Sequence, residues 1–160
     1  LILAGSCSAA TQNQVKSYLK TKKLSVLVSA IELKNGQQSI PGFMDLMAAN
    51  PREDILFYSA GSAGIREEDL FGRQEDAQVI ENTLSDLAKA AVGCGRKRII
   101  VAGGEVSGAV IKKLGYKSFF IGESVAPGVP IMNPVENKHL TLVLKSGNFG
   151  EDNFFSTVPV

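Results

Sequence analysis

The sequence predicts a single α/β domain built on an open, mostly parallel β-sheet with helices on both faces. Short apolar segments alternate with segments of helical periodicity, which is the pattern of strand–helix–strand units. The 160 residues are 44% hydrophobic and 21% charged, an ordinary composition for one globular domain. Turns of small residues follow several predicted strands. In a parallel sheet such turns gather at the carboxyl edge, where open α/β sheets bind ligands.

The individual elements follow from apolar periodicity and from the residues that begin and end helices. Strands are predicted at residues 1–4, 24–31, 54–58, 97–102, 119–121 and 140–144. Helices are predicted at residues 11–20, 41–49, 75–92 and 107–114, and a short segment at 152–156 closes the chain. Ser8 is the predicted N-cap of the first helix, and Gly93 ends the longest one. Residues 65–74 are predicted to form a polar surface loop, and residues 122–137, with three prolines, a long loop.

Composition excludes several classes of protein. The formal net charge of +1 gives no sign of a general affinity for nucleic acid or for an anionic membrane. No apolar run is long enough to span a bilayer, and no signal segment is recognisable. The two cysteines, Cys7 and Cys94, are too few for a disulfide framework, which favours a reducing, cytoplasmic setting. Because the chain opens without Met inside an apolar strand, we expect it to be the C-terminal domain of a longer protein.

The stretch around residues 98–110 is a candidate anion site. A buried strand is followed by Gly103, Gly104 and a helix, and such a turn directs backbone N–H groups and the positive end of a helix at one point. The alternative is a tight strand-to-helix turn that needs glycine for its backbone angles. It is neither a Walker motif nor a GxGxxG fingerprint. Glu105 would suit a sugar hydroxyl or a water-bridged Mg²⁺, or it is simply a first-turn carboxylate that the helix dipole favours.

Two further turns have a polar or small-residue pattern of interest. Lys145 precedes Ser146-Gly147-Asn148 and could meet a phosphate, although a strand-end lysine that faces water is the favoured interpretation. Gly147 would allow the backbone to approach a ligand closely. Residues 59–64 are interpreted as a flexible loop in preference to a phosphate-facing turn.

A rival interpretation concerns Cys7. The segment Gly5-Ser6-Cys7-Ser8-Ala9 has the shape of a nucleophile elbow, so that Cys7 would be the nucleophile of a hydrolase. Such a hydrolase needs a base, and His139 is the single histidine of the sequence. A lone histidine is more often structural. A metal site is not expected, because the cysteines and the histidine show no paired spacing.

Four segments taken in order resemble the four-carbon acid sugar kinase family. They are Leu3-Ala4-Gly5-Ser6-Cys7-Ser8, then Ala102-Gly103-Gly104-Glu105-Val106-Ser107-Gly108-Ala109-Val110, then Ile121-Gly122 with Pro127-Gly128-Val129-Pro130, and finally Leu144-Lys145-Ser146-Gly147-Asn148-Phe149-Gly150 with Phe154-Phe155. Over essentially all of residues 1–160, the sequence resembles the C-terminal, nucleotide-binding domain of that family. It implies ATP-dependent phosphorylation of the terminal hydroxyl of 3-oxo-tetronate, with threonate and erythronate as alternatives. The alternative to an enzyme is a non-catalytic nucleotide-binding module.

The resemblance also implies a set of nucleotide-binding residues. Carried over by position, these are Ser6, Ser8, the segment Gly104-Glu105-Val106-Ser107, and Gly147. Val106 departs from the family pattern, which usually has threonine there, so that a backbone contact survives and a hydroxyl contact does not. The implied cofactors are ATP and Mg²⁺, and the implied partners are the sugar acid and an N-terminal domain of the same polypeptide, which holds most of the sugar-acid site. The base that activates the acceptor hydroxyl is not expected within residues 1–160, and no catalytic residue is assigned. Homo-oligomerisation is left open.

Overall fold

A computed structural model describes residues 1–63 and 74–158 as a seven-stranded sheet flanked by helices. The strands are β1 (Ile2–Ala4), β2 (Ser25–Val28), β3 (Leu56–Ser59), β4 (Arg98–Ala102), β5 (Phe119–Ala126), β6 (Val129–Pro134) and β7 (Thr141–Lys145). The helices are α1 (Ala9–Lys20), α2 (Ala30–Lys34), α3 (Ile40–Ala49), α4 (Gln74–Gly93), α5 (Gly104–Leu114) and α6 (Phe154–Thr157). A 3-10 turn, Gly61–Ala63, follows β3.

The sheet has the strand order β2-β3-β1-β4-β7-β6-β5. The five strands from β2 to β7 in this order pair in parallel, and the β5–β6 hairpin continues the sheet in antiparallel pairing. The predicted fold class, an α/β domain with a mostly parallel sheet, is confirmed.

Alternation along the central strands divides the core between the two faces of the sheet. Leu3 and Val101 pack with α3, α4 and α5 on one face, whereas Ala4 and Ala102 pack with α1 and α6 on the other. Successive side chains of a strand point to opposite faces, so one short strand serves both cores. The helices that follow β1 and β4 therefore lie on opposite faces of the sheet. The crevice between the carboxyl ends of these two neighbouring strands is a topological switch point, the usual ligand site of such sheets.

The prediction of a long loop at residues 122–137 was wrong. This region forms the β5–β6 hairpin, which turns at Gly128 with a φ of 75°. Most of β5 is exposed and its pairing is irregular, so it lacks the alternating apolar pattern of a strand, and the prolines of β6 also argued against one. The predicted strand at 24–31 is also shorter, because Ser29 caps a helix, α2, that was not predicted.

Two further predictions concern the segment at residues 65–74 and the possibility of a membrane-spanning helix. The predicted surface loop at 65–74 lies outside the described residues except for Gln74, which begins α4. Among the residues that the structure describes, no helix is both long and apolar enough to cross a membrane.

Candidate functional site

Three strand-to-helix or strand-to-loop turns meet at the carboxyl edge of the sheet. Ala4, Ala102 and Lys145 lie in register on β1, β4 and β7, so the three strands end side by side. The ladder continues for one step beyond the strands. Gly5 N donates to Ala102 O at 3.0 Å, and Gly103 N donates to Lys145 O at 3.0 Å. The turns that begin at Gly5, Gly103 and Ser146 are therefore placed next to one another by the sheet itself.

Ser6 lies at the point where these turns touch. A Cβ added to Gly103 would lie 3.2 Å from Ser6 N and 3.3 Å from Ser6 Cβ. A Cβ added to Gly147 would overlap Ser6 Oγ and lie 2.6 Å from Ser8 Oγ. Since Gly147 has no positive φ, it is glycine because of this contact and not because of its conformation. The close approach that the structure shows at Gly147 is to the Ser6 and Ser8 hydroxyls. The close approach of its backbone to a ligand stays a prediction.

The Ser8 hydroxyl links the first turn to α1. Ser8 Oγ accepts a hydrogen bond from Thr11 N at 3.3 Å, which confirms Ser8 as the N-cap. Ser8 N donates to Ser6 Oγ at 3.2 Å. Thr11 is fully buried and its hydroxyl donates to Gly147 O at 3.0 Å, so α1 also holds the turn that follows β7.

The start of α5 offers unused backbone donors. Gly103 is its N-cap with a φ of 126°, a conformation that favours glycine, and no side chain of the described residues caps the helix. Ser107 N makes the first intrahelical bond, to Gly103 O, so the N–H groups of Gly104, Glu105 and Val106 precede it. Such uncapped N–H groups at the positive end of an eleven-residue helix suit an anion.

The side chains of this helix start differ in their surroundings. Glu105 is exposed in the first turn, where the helix dipole favours a carboxylate. Val106 is buried, and its Cγ2 fills the space beside Gly5, so Val106 can offer a ligand only its backbone. Ser107 Oγ is buried and has no hydrogen-bond partner within the part of the chain that the structure describes.

Lys145 differs most from its prediction, because the favoured interpretation was a strand-end lysine that faces water, whereas the structure buries it. The residue is 1% exposed. Its ammonium donates to Thr11 Oγ1 at 3.1 Å, to Gly147 O at 3.0 Å and to Ser146 O at 3.3 Å. Burial lowers the pKa of Lys145 from 10.5 to about 8. Among residues 1–63 and 74–158, no carboxylate forms an ion pair with it.

Sequence reasoning missed this residue, although a signal was available. In β7, Lys145 lies two positions after Val143, a buried residue of the core on the α1 face. Alternation therefore puts Lys145 on that buried face. Thr11 gave no signal, because a threonine in a first helical turn is common.

The hydrolase interpretation of Cys7 does not fit the geometry. Cys7 follows the carboxyl end of β1, and its Sγ lies against Gly61. His139 precedes the amino end of β7, a parallel strand of five residues that is roughly 16 Å long. The single histidine is therefore at the opposite edge of the sheet and cannot serve as the base. The described residues also contain no group of three or more His, Cys, Asp or Glu side chains that could hold a metal ion.

A cavity of about 630 Å³ lies away from the three turns, at the amino edge of the sheet. Its wall includes His139 and the basic segment Arg96-Lys97-Arg98. The Arg96 guanidinium is already occupied, since it donates to the carbonyls of Met47, Asn50 and Glu53. Arg96 therefore stabilises the fold and is not available to a ligand in this cavity, and the turns at the carboxyl edge are the better candidate site.

A family model described as a nucleotide-binding C-terminal domain matches residues 1–155. The chain belongs to this family. The resemblance noted in the sequence is thereby confirmed, and the site of three turns lies in a nucleotide-binding C-terminal domain.

Relatives of this nucleotide-binding domain include named kinases. The 3-oxo-tetronate kinase of Cupriavidus necator is 35% identical over 159 residues, covering 97% of this chain and 36% of that protein. The 3-oxo-tetronate kinase of Brucella melitensis is 36% identical, again covering 97% of this chain and 36% of that protein. A solved structure of a Haemophilus influenzae protein of the DUF1537 family has a TM-score of 0.86 and 33% identity, covering 98% of this chain and 38% of that one. The chain therefore spans little more than a third of the length of these proteins.

Proposed function

We propose that this domain binds ATP for a kinase that phosphorylates the terminal hydroxyl of a four-carbon sugar acid, with 3-oxo-tetronate as the first candidate. The observation that carries the proposal is the meeting of three turns at Ser6, beside the uncapped start of α5. The names of the relatives support the reaction class and the substrate. Threonate and erythronate are the alternative substrates.

The donor set of the turns fits a polyphosphate. In this proposal the N–H groups of Gly104, Glu105 and Val106 hold phosphate oxygens, as helix starts do in other nucleotide sites. The hydroxyls of Ser6 and Ser8 and the backbone at Gly147 complete the cradle. Ser107 Oγ, buried without a partner among the described residues, is a further hydroxyl that a bound nucleotide could satisfy.

Glu105 suits a role beside the phosphates and not on them, because a carboxylate repels a phosphate. Mg²⁺ in kinase sites is held largely by phosphates and water with one or two carboxylates, which fits a site that offers Glu105 and no larger acidic cluster among its described residues. When bound, Mg²⁺ would offset phosphate charge. Glu105 would meet it through water or accept a hydrogen bond from a sugar hydroxyl.

We further propose that residues 1–160 are one of two domains. The other, N-terminal domain would carry the sugar-acid site and the catalytic base, and transfer would occur in the cleft between the two. Catalysis would then consist of positioning and electrostatic stabilisation, to which this domain contributes a fixed place for the nucleotide. The cytoplasmic location and any homo-oligomer stay predictions.

A kinase assay on the full-length protein tests the proposed function. ATP consumption is measured against 3-oxo-tetronate, threonate and erythronate, and we expect turnover with one of them. Gly104→Asp should abolish nucleotide binding, because it adds a negative charge at the start of α5, where no described residue fills the space beside Gly104. Gly93→Asp is the matched control, since Gly93 is equally unobstructed but ends α4 at the other edge of the sheet. Nucleotide binding without turnover on any acid would favour the non-catalytic module, and equal binding by both variants would contradict the site.

A further inference from the structure

Lys145 carries a buried charge whose partners among the described residues are all neutral. The groups that face its ammonium are the Thr11 hydroxyl on α1, the two carbonyls that follow β7, and the Phe154 ring on α6, 6.0 Å away. Its register partner on β4 is Ala102. The charged residues of the adjoining segments, namely Lys16, Lys20, Glu151 and Asp152, are exposed. Burying an ammonium without a counter-charge costs free energy, so its retention calls for another explanation.

The hydrogen bonds of Lys145 fix the orientation of two successive peptide groups. Its ammonium holds the carbonyls of Ser146 and Gly147 on the same side. The described residues contain no cis peptide bond, so each carbonyl points opposite to the N–H of the next residue. The N–H groups of Gly147 and Asn148 must therefore point away from the lysine. Neither makes a hydrogen bond within the part of the chain that the structure describes.

We propose that Lys145 is a positioning residue of the nucleotide site: by holding two carbonyls inward, it presents the N–H groups of Gly147 and Asn148 outward as a paired donor for a phosphate group. Successive N–H groups on one side of a turn form an anion-binding concavity. The ammonium behind them adds its positive field to the same place. This inference rests on the proposed nucleotide-binding function, and it explains why a charge without a carboxylate partner in the described residues is kept under the turn.

The proposal predicts a pH dependence of the affinity for nucleotide that a merely structural lysine would not give. Because the pKa of Lys145 is lowered to about 8, the ammonium of the free protein is lost above that pH. Binding of an anion favours the charged form, so affinity for nucleotide falls as pH rises above the free-state pKa, by up to about tenfold per pH unit. Stability has the opposite sign. The unfolded chain keeps the proton up to 10.5, so between about 8 and 10.5 the unfolded state binds more protons and the free energy of unfolding rises with pH.

The test measures the Kd of MgADP by calorimetry on the full-length protein from about pH 7 to about pH 9.5. Wild type should show the loss of affinity above pH 8, whereas Lys145→Arg, which stays charged, should show a flat profile. Lys145→Met should bind at least about tenfold more weakly below pH 8 with no pH slope, and its KM for ATP should rise with little change in kcat. Lys16→Met, which removes an exposed lysine of α1, is the matched control and should keep both the affinity and the slope.

The outcomes separate this inference from the proposed function. If the Kd of wild type for MgADP does not change with pH and Lys145→Met has the same Kd, the role of Lys145 is overturned and the kinase proposal stands. If wild type binds no nucleotide at all, the proposed function is wrong and the role of Lys145 is overturned with it. Where Lys145→Met fails to fold, the wild-type profile against Lys16→Met decides, since a profile that is flat in both overturns the inference.

Discussion

Replacing Gly147 by alanine tests whether the contact between two turns shapes the site. The new Cβ would overlap Ser6 Oγ and lie 2.6 Å from Ser8 Oγ and 2.8 Å from Ser8 Cβ. Neither hydroxyl is free to rotate away without loss, because Ser6 Oγ accepts from Ser8 N and Ser8 Oγ caps α1. The turn after β7 must therefore move away from the first turn by about 1 Å, the distance that restores ordinary contact.

This displacement sets the expected magnitudes. Forcing an extra carbon into a packed site typically costs about 1–3 kcal/mol of stability. In a domain of this size each kcal/mol lowers Tm by about 2–4 °C. Misplacement of a binding group by about 1 Å can cost on the order of a hundredfold in activity, so we expect nucleotide affinity to fall between tenfold and a hundredfold.

The measurements are Tm and the Kd of MgADP on the full-length protein, with Gly104→Ala as the matched control. Within the described part of the chain, a Cβ at Gly104 would meet open space, and alanine in a helix is favoured over glycine by up to about 1 kcal/mol. The control should keep its affinity and gain slightly in Tm, because the backbone N–H remains. Wild-type Tm and Kd in Gly147→Ala would show that the turns do not constrain each other, and the geometric argument for the site would be wrong.

Two other substitutions test individual residues. Val106→Thr should lower the free energy of unfolding by about 1–3 kcal/mol in urea denaturation, because it places a hydroxyl in the packed space beside Gly5 and Leu84. The Kd of MgADP should not change, and a tighter Kd would show that the hydroxyl reaches the nucleotide. Cys7→Ser should retain ATP-dependent phosphorylation in the full-length enzyme, because no histidine lies at that edge of the sheet; loss of turnover in a folded variant would restore a role for the thiol.

The parallel part of the fold could be predicted because its strands are short, apolar and followed by small residues. Each central strand is buried on both faces, so its sequence is a continuous apolar run. The turns after β1, β4 and β7 can be recognised in the sequence by their glycine and serine residues. The hairpin could not be predicted in this way. Most of β5 is exposed, so no burial pattern marks it, and its pairing to β6 depends on contacts that a local pattern does not contain.

For the site, the sequence identified the turns but not their mutual contacts. Ser6, Ser8 and Gly147 were assigned through a resemblance, and only the structure brings all three into contact. Lys145 was misjudged because its residue type outweighed its position in the strand. A lysine is rarely buried, but alternation in β7 places it with Val143 on the core face.

The absence of a standard phosphate-binding motif has a physical explanation in the proposed site. Apart from the serine hydroxyls, its donors are backbone N–H groups, which every residue except proline supplies, so most side chains beside the phosphates are weakly restricted. The restriction falls instead on residues that shape the backbone: Gly103, whose φ of 126° and contact with Ser6 exclude a side chain, Gly147, whose Cβ has no room, and Lys145, which orients the peptides. The Walker and GxGxxG motifs also hold phosphate with backbone N–H groups, but each fixes the glycine spacing within a single turn. The glycines of this site are spread over separate turns, so the order of those turns along the chain marks it and a single-turn motif does not.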